Sequence, residues 1–248
     1  MTIRSNSHLV TPNYNLWGLA DSNKEAVKVE PLTEAQLEPF IALSQTLIDL
    51  AAFRLSKSGH CQYYRGTDNN SKHIAWLRFV PKGQEDTYTG EHITFLWSID
   101  NKNLIAMNHF TDDMIGTQRV THQQALETAM AFIKKHAPDM IQTAQAPQIG
   151  TESPENRITL EIPAMVDHAE LQWVGPHSEP VKIEGEDKTS TGIKVKFRMP
   201  RLGLWMWCIV NDKNEVMTFE REVFWDFDAM QRHTQMWLYN PWLRAQAL

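Results

Sequence analysis

The stretch His92-Ile93-Thr94-Phe95-Leu96-Trp97-Ser98-Ile99-Asp100-Asn101-Lys102-Asn103-Leu104-Ile105-Ala106-Met107-Asn108-His109-Phe110 decides the fold. Ile93, Phe95, Trp97 and Ile99 alternate with His92, Thr94 and Ser98, and Leu96 alone interrupts the polar set. Successive side chains of a strand point to opposite faces, so this period of two predicts a half-buried strand. Asp100 to Asn103 carry turn-forming side chains. Leu104 to Phe110 returns as the second arm of a hairpin. A second stretch reads alike: Met206-Trp207-Cys208-Ile209-Val210-Asn211-Asp212-Lys213-Asn214-Glu215-Val216. Trp97 matches Trp207, Ile99 matches Ile209, and Lys102-Asn103 matches Lys213-Asn214 after one inserted residue. An internal duplication is one reading of this likeness; the general chemistry of polar hairpin turns is the other.

Outward from the first hairpin, Thr121 and Gln124 form a capping-box pair, and Leu126, Ala129, Met130 and Ile133 follow at helical spacing, with Pro138 beyond the end. Thr33 and Gln36 signal an earlier helix. Its apolar residues run from Leu37 to Leu55, Pro39 marks a start or kink, and Gly59 is a plausible stop. Further strands are expected at Ile74–Val80, around Ile158–Ile162, and briefly at Leu171–Trp173. Ile193 to Met199 alternates with Lys194, Lys196 and Arg198 and predicts a strand with one wet face. Leu204 to Val210 is apolar on both faces and reads as a central strand. Val216 to Trp225 returns from it. Asp228 with Gln231 opens a last helix that Pro241 ends.

The expected fold is α+β: antiparallel curved sheets with helices packed on one face, in two related hairpin-plus-helix halves. The boundaries are a loose arm over 1–31, a first half over 32–137, a linker over 138–156 and a second half over 157–248. The linker is rich in Pro, Gln, Thr and Ser.

A hairpin with a polar turn followed by Thr121, Gln124, Ala125, Leu126, Ala129, Phe132 and Ile133 resembles PepSY-type domains. The resemblance covers residues 92–137 and, more faintly, 193–243. It implies a non-catalytic binding or inhibitory module, because a small sheet curled around a helix mainly offers a protein-binding surface.

Composition narrows the function classes. With 42% hydrophobic and 22% charged residues, the chain has enough apolar matter to fold. A net charge of −6 argues against a nucleic-acid partner, since phosphate binding relies on Lys and Arg. There is no polybasic run and no apolar stretch of membrane-spanning length, so no membrane partner is expected. The first residues lack an apolar signal core, and Cys61 and Cys208 form no disulfide framework, which together predict a cytoplasmic protein. Cys208 reads as a buried small hydrophobe. Cys61 beside His60 is an improbable nucleophile, because sequence neighbours rarely reach catalytic geometry.

Motifs with a mechanism are missing: no phosphate loop, no dinucleotide fingerprint, no H-E-x-x-H, no C-x-x-C and no G-x-S-x-G occur. No cofactor is expected, and no metal, although His92, His109 and His122 could approach one another at the first hairpin. Asp112-Asp113 and Glu220/Glu222 are carboxylate pairs. The second pair is expected on one strand face. Arg221 stands out, since Met217, Phe219, Val223 and Trp225 should share its face. An arginine in an apolar row needs a carboxylate, an aromatic face or a ligand anion. Trp205 or Trp207 could stack on it. The candidate ligand-binding set is therefore Arg221, Trp205, Trp207, Trp225, His233 and Glu220. The leading expectation is a binding or protein-interaction module with a Trp-rich groove for a protein partner or a small anionic or aromatic ligand. The alternatives are a small-molecule enzyme on a cystatin-like curved-sheet scaffold with an Arg/His/Glu pocket, and a homodimer joined through a Trp-rich face.

Overall fold

The computed structural model describes residues 30–65, 68–111, 119–140, 148–152, 159–162, 169–183, 186–199, 203–223, 225–226, 231–232, 238, 240 and 243. Helix α1 spans Glu34–Gln45, followed by strands β1 (Phe53–Arg65), β2 (Asp68–Pro81), β3 (His92–Ser98) and β4 (Leu104–Phe110). Helix α2 (His122–His136) leads to a short 3-10 turn at Pro138–Met140 and a small ladder of β5 (Gln148–Glu152) with β6 (Thr159–Ile162). Then come β7 (Glu170–Ile183), β8 (Glu186–Met199), β9 (Leu204–Val210) and β10 (Val216–Val223). Two short strands, β11 (Trp225–Asp226) and β12 (Gln231–Arg232), pair with each other.

One eight-stranded sheet has the order β1-β2-β3-β4-β10-β9-β8-β7, and all its pairings are antiparallel. Two four-stranded meanders thus meet at β4 and β10. The seam ladder is short: Thr218, Phe219 and Glu220 face Asn108, Met107 and Ala106.

Both helices lie on one face, as the apolar stripes require. Leu37 and Phe40 of α1, and Ala125, Leu126, Ala129, Met130 and Ile133 of α2, join one core with Leu77, Phe95, Met107, Phe219, Cys208 and Val195 of the sheet. Each fully buried aliphatic side chain there contributes about 1.5–3 kcal/mol. The capping box of α2 is formed as expected: Gln124 N–H donates to Thr121 Oγ1 at 3.2 Å, and Thr121 N–H to Gln124 Oε1 at 3.0 Å. Trp97 reaches under α1 and donates its indole N–H to Ser44 Oγ at 3.0 Å.

Several expectations are corrected. The first helix ends at Gln45, and Phe53, Leu55 and Gly59 lie in β1. It starts at Glu34 and continues through Pro39. The face of β3 carrying His92, Thr94 and Ser98 is buried, not wet. The last helix does not open at Asp228–Gln231, because Gln231 is in β12. In the second half a hairpin-plus-helix order is therefore not seen at that point. Trp97 and Trp207, equivalent in the hairpin likeness, sit on opposite faces: Trp97 is in the helix-side core and Trp207 in a separate apolar cluster. Residues 1–29 of the arm expected over 1–31, and Asp112-Asp113, lie outside the described residues. No helix among the described residues is long and apolar enough to cross a membrane.

Candidate functional site

Alternation along the strands builds a second face, away from the helices. Helix-side positions are Ala75, Leu77 and Phe79 on β2, Ile93, Phe95 and Trp97 on β3, and Leu204, Met206 and Cys208 on β9. Their neighbours in sequence therefore face the far side. There the register sets up two rows across the sheet. One runs Trp76, Leu96, Ala106, Glu220, Trp207, Lys196 and Trp173. The other runs Arg78, Thr94, Asn108 and Thr218, all four buried. Asn108 Nδ2 donates to the Leu238 carbonyl at 3.2 Å, so a C-terminal residue lies over this second row. Thr218 Oγ1 reaches Asn108 Oδ1 at 3.5 Å.

At the β7–β9 end, cations stack on indoles. Lys194 Nζ stands 3.8 Å from the Trp207 ring centroid, and Lys196 Nζ 4.0 Å from that of Trp205 and 6.0 Å from that of Trp173. The Arg198 guanidinium is 5.9 Å from Trp205. These lysines were expected on a solvated face, yet Lys194 is only 8% exposed. An ammonium lying on an indole face recovers part of its lost hydration through the ring's negative quadrupole. Burial still pushes the Lys196 ammonium below the usual lysine range. Trp207 is itself anchored, its indole N–H donating to Glu220 Oε1 at 2.8 Å. Arg198 is exposed, whereas Trp173, Trp205 and Lys196 are half-buried.

The expected constellation is divided. Between Glu220 and Val223, Arg221 and Glu222 of β10 oppose the single residue Met206 of β9, and Glu222 takes φ +58°. This bulge breaks the alternation. Met217 and Val223 join Trp207 on the far face, while Phe219 faces the helices, so they do not share one row with Arg221. Arg221 pairs with Asp139 beyond α2: Nη2 lies 2.7 Å from Oδ2, and Nη1 donates to Oδ1 at 2.9 Å. Glu222 stands 3.6 Å from Arg221, and Glu220 reaches Trp207 instead, so the two glutamates have separate partners. The rings of Trp205 and Trp207 carry lysines, where Arg221 was the expected cation. The structure thus brings Trp205, Trp207 and Glu220 together and directs Arg221 to a different partner. Trp225 pairs through its backbone with Arg232, and the Trp225 side chain and His233 lie outside the described residues.

Sequence reasoning passed over a second cluster. Arg78 is fully buried on β2, between Leu77 and Phe79. Its Nε donates to Asp86 Oδ2 at 2.8 Å, its Nη1 lies 3.4 Å from Thr94 Oγ1, and its guanidinium is 5.1 Å from the Tyr88 ring. Loss of hydration lowers the Arg78 pKa despite Asp86, but a guanidinium remains charged wherever the chain is folded. His92 on β3 is buried beside it, 2.9 Å from the Gly90 carbonyl through Nδ1. The signal that singled out Arg221, an arginine inside an apolar run, is equally present at Arg78.

Among the described residues, no group of three or more His, Cys, Asp or Glu is placed to hold a metal ion. His109 pairs with Ile93, so it faces the helices while His92 faces away. His60 instead meets His73, Nε2 to Nδ1 at 2.9 Å. Cys208 is buried, and burial pushes its thiol far up, away from nucleophilic reactivity. No family model, no curated protein and no solved structure matches this chain.

Proposed function

We propose that this chain is a binding module, and that its partner docks on the tryptophan–lysine strip of β7–β9. The observation that carries the reading is the stacking of Lys196 between Trp205 and Trp173, at 4.0 and 6.0 Å. Indole faces give contact area at little entropic cost, and the adjacent Lys196 and Arg198 favour carboxylates. Partly exposed aromatic and cationic groups on an otherwise buried sheet face suit an acidic or aromatic segment of a partner, or a small ligand of that chemistry. An Arg221/Glu220 catalytic pocket has less support, since their side chains meet different partners, Asp139 and Trp207. The matching strand orders outward from the seam, β4-β3-β2-β1 and β10-β9-β8-β7, favour two related halves, with the strip built by one of them.

Native mass spectrometry of protein gently purified from its source cells tests the reading, with Trp205→Ala alongside. The expected result is mass beyond the 28.6 kDa chain, a second copy included, that the variant loses. A bare chain, or extra mass that the variant retains, overturns it.

A further inference from the structure

Met107 of β4 and Phe219 of β10 face each other at the centre of the seam, and the next residue along each strand is Asn108 or Glu220. From Asn108 a row of register partners runs outward through Thr94 and Arg78 to Lys57. From Glu220 the matching row runs through Trp207 and Lys196 to Trp173. Arg78 and Lys196 therefore hold the same place in the two meanders, each on the strand next to the edge and on the far face.

The two cations are completed differently. Against Arg78 lies the β2–β3 connection, residues 82–91. It supplies the Asp86 carboxylate, 2.8 Å from Arg78 Nε, and the Tyr88 ring, whose centroid is 5.1 Å from the Arg78 guanidinium and 5.1 Å from Lys57 Nζ. The Tyr88 N–H donates to Asp86 Oδ1 at 3.2 Å, which fixes acid and ring relative to each other. The Arg78 and Asp86 side chains are 0% and 4% exposed, so the pair is closed to solvent. Lys196 has aromatic walls, Trp205 at 4.0 Å and Trp173 at 6.0 Å, but no carboxylate among the described residues pairs with it. Burial lowers its pKa with no acid opposing the shift. Glu170 of β7 faces Arg198 instead, and Glu220 accepts from the Trp207 indole. The matching β8–β9 connection consists of Pro200, Arg201, Leu202 and Gly203 and contains no acid.

A partly desolvated ammonium without a carboxylate is an incomplete ion pair, and an indole face restores only part of its lost hydration. Side chains two positions apart in an extended segment point the same way. An acid and an aromatic residue so spaced can reach the strip together, as Asp86 and Tyr88 reach Arg78. Resting on the docking reading of the β7–β9 strip, we propose that the partner presents an acidic residue followed two positions later by an aromatic one. The carboxylate pairs with Lys196 Nζ between the two indoles, and the ring lies against Trp205 and the exposed Arg198 guanidinium. The first meander carries its own segment of this kind in Asp86-Thr87-Tyr88; the second takes one from another chain.

Calorimetric titration of the full chain with the capped peptide acetyl-Asp-Thr-Tyr-Thr-amide, the sequence Asp86 to Thr89, tests the proposal. An Asn-Thr-Tyr-Thr counterpart keeps the shape without the charge, and an Asp-Thr-Ala-Thr counterpart lacks the ring. The first peptide should bind about ten-fold more tightly than the asparagine peptide, as a charge-assisted hydrogen bond at a half-buried cation requires. The alanine peptide should also bind more weakly than the first. Lys196→Met keeps a stem to pack on the indoles and removes the charge, so it should erase the preference for Asp over Asn without lowering the melting temperature. Lys196→Arg should retain that preference. No binding of the first peptide, equal binding of either counterpart, or a preference that survives Lys196→Met would each overturn the proposal. Should the methionine variant not fold, the peptide comparison on the unsubstituted chain decides alone. Failure of the peptide, beside a partner mass that Trp205→Ala loses in native mass spectrometry, overturns this partner chemistry and leaves the docking reading standing. Failure in both experiments overturns the two together.

Discussion

His92 is held neutral by burial first and by the Arg78 charge second, which together lower its pKa to about 3. Asp86 and the Gly90 carbonyl oppose this, and His109 adds a small repulsion. In an unfolded chain a histidine protonates near pH 6.5. Between those limits the unfolded state binds a proton that the folded state refuses, so stability falls as the pH drops, by about 1.4 kcal/mol per unit. Asp86 acts in a lower window. Burial raises its pKa, but the hydrogen bond and charge of Arg78 outweigh that and hold it below 3.8. Its contribution is present above 3.8 and is lost only as pH falls through the folded value. Burial lowers His122 and His136 as well, so they add to the slope. The urea midpoint should therefore fall from pH 6.5 to 4.5, and His92→Gln should flatten that fall markedly. An equal slope in the variant would remove His92 as its cause. From sequence alone His92 reads as a residue on a wet face, because period-two alternation does not show whether the polar face is covered. The cover here comes from residues about 130 and 148 positions away, Leu238 over Asn108 and Asn240 against His92, a separation that no local pattern encodes.

Strands in the middle of the sheet were legible at nearly their true bounds. Leu104–Phe110 and Leu204–Val210 match β4 and β9: the first is announced by the polar turn Asp100 to Asn103 before it, and the second is a continuous apolar run, as suits a strand paired on both sides. Edge strands were not. Phe53–Arg65 is polar over most of its length and pairs only with β2 in the sheet, so Leu47, Ile48, Ala51, Phe53 and Leu55 read as a continuing helix. The bulge at Arg221 was equally hidden, because nothing in the spacing of Glu220 and Glu222 signals an extra residue. Gly192 in β8 has a role visible only in three dimensions. A Cβ there would lie 2.7 Å from Ile209 Cγ2 and 2.9 Å from the Val210 carbonyl oxygen. The side-chain atom can turn, but the carbonyl belongs to the neighbouring β9 backbone. Gly192→Ala should cost about 1–3 kcal/mol by overpacking, read as a lower urea midpoint with an unchanged slope. A neutral substitution would mean that β8 and β9 separate locally without cost.

At the scale of the whole molecule, the two meanders touch through a ladder of three residue pairs, so other contacts must hold them as one unit. The shared helix-side core is one, with Phe132 of α2 against Phe219 of β10 at 5.5 Å between ring centroids. Asp139 is another. Its carboxylate accepts from Arg221 on β10 and, at 3.1 Å, from Asn103 Nδ2 in the β3–β4 turn. One side chain just beyond α2 thus ties the first meander to the second. Arg221 is nearly buried and Asp139 about one-third accessible, so the pair is screened on one side only. Asp139→Asn retains the shape and removes the charge. It should lower stability by about 1–2 kcal/mol, within the range for a hydrogen bond to a charged group after allowance for solvent. Unfolding should still occur as one transition, with far-UV circular dichroism and tryptophan fluorescence superimposing, because the core spans the seam. If the variant unfolds in two separated steps, the three-pair ladder and the shared core are too weak to couple the meanders, and the Asp139 tie is what makes them cooperative.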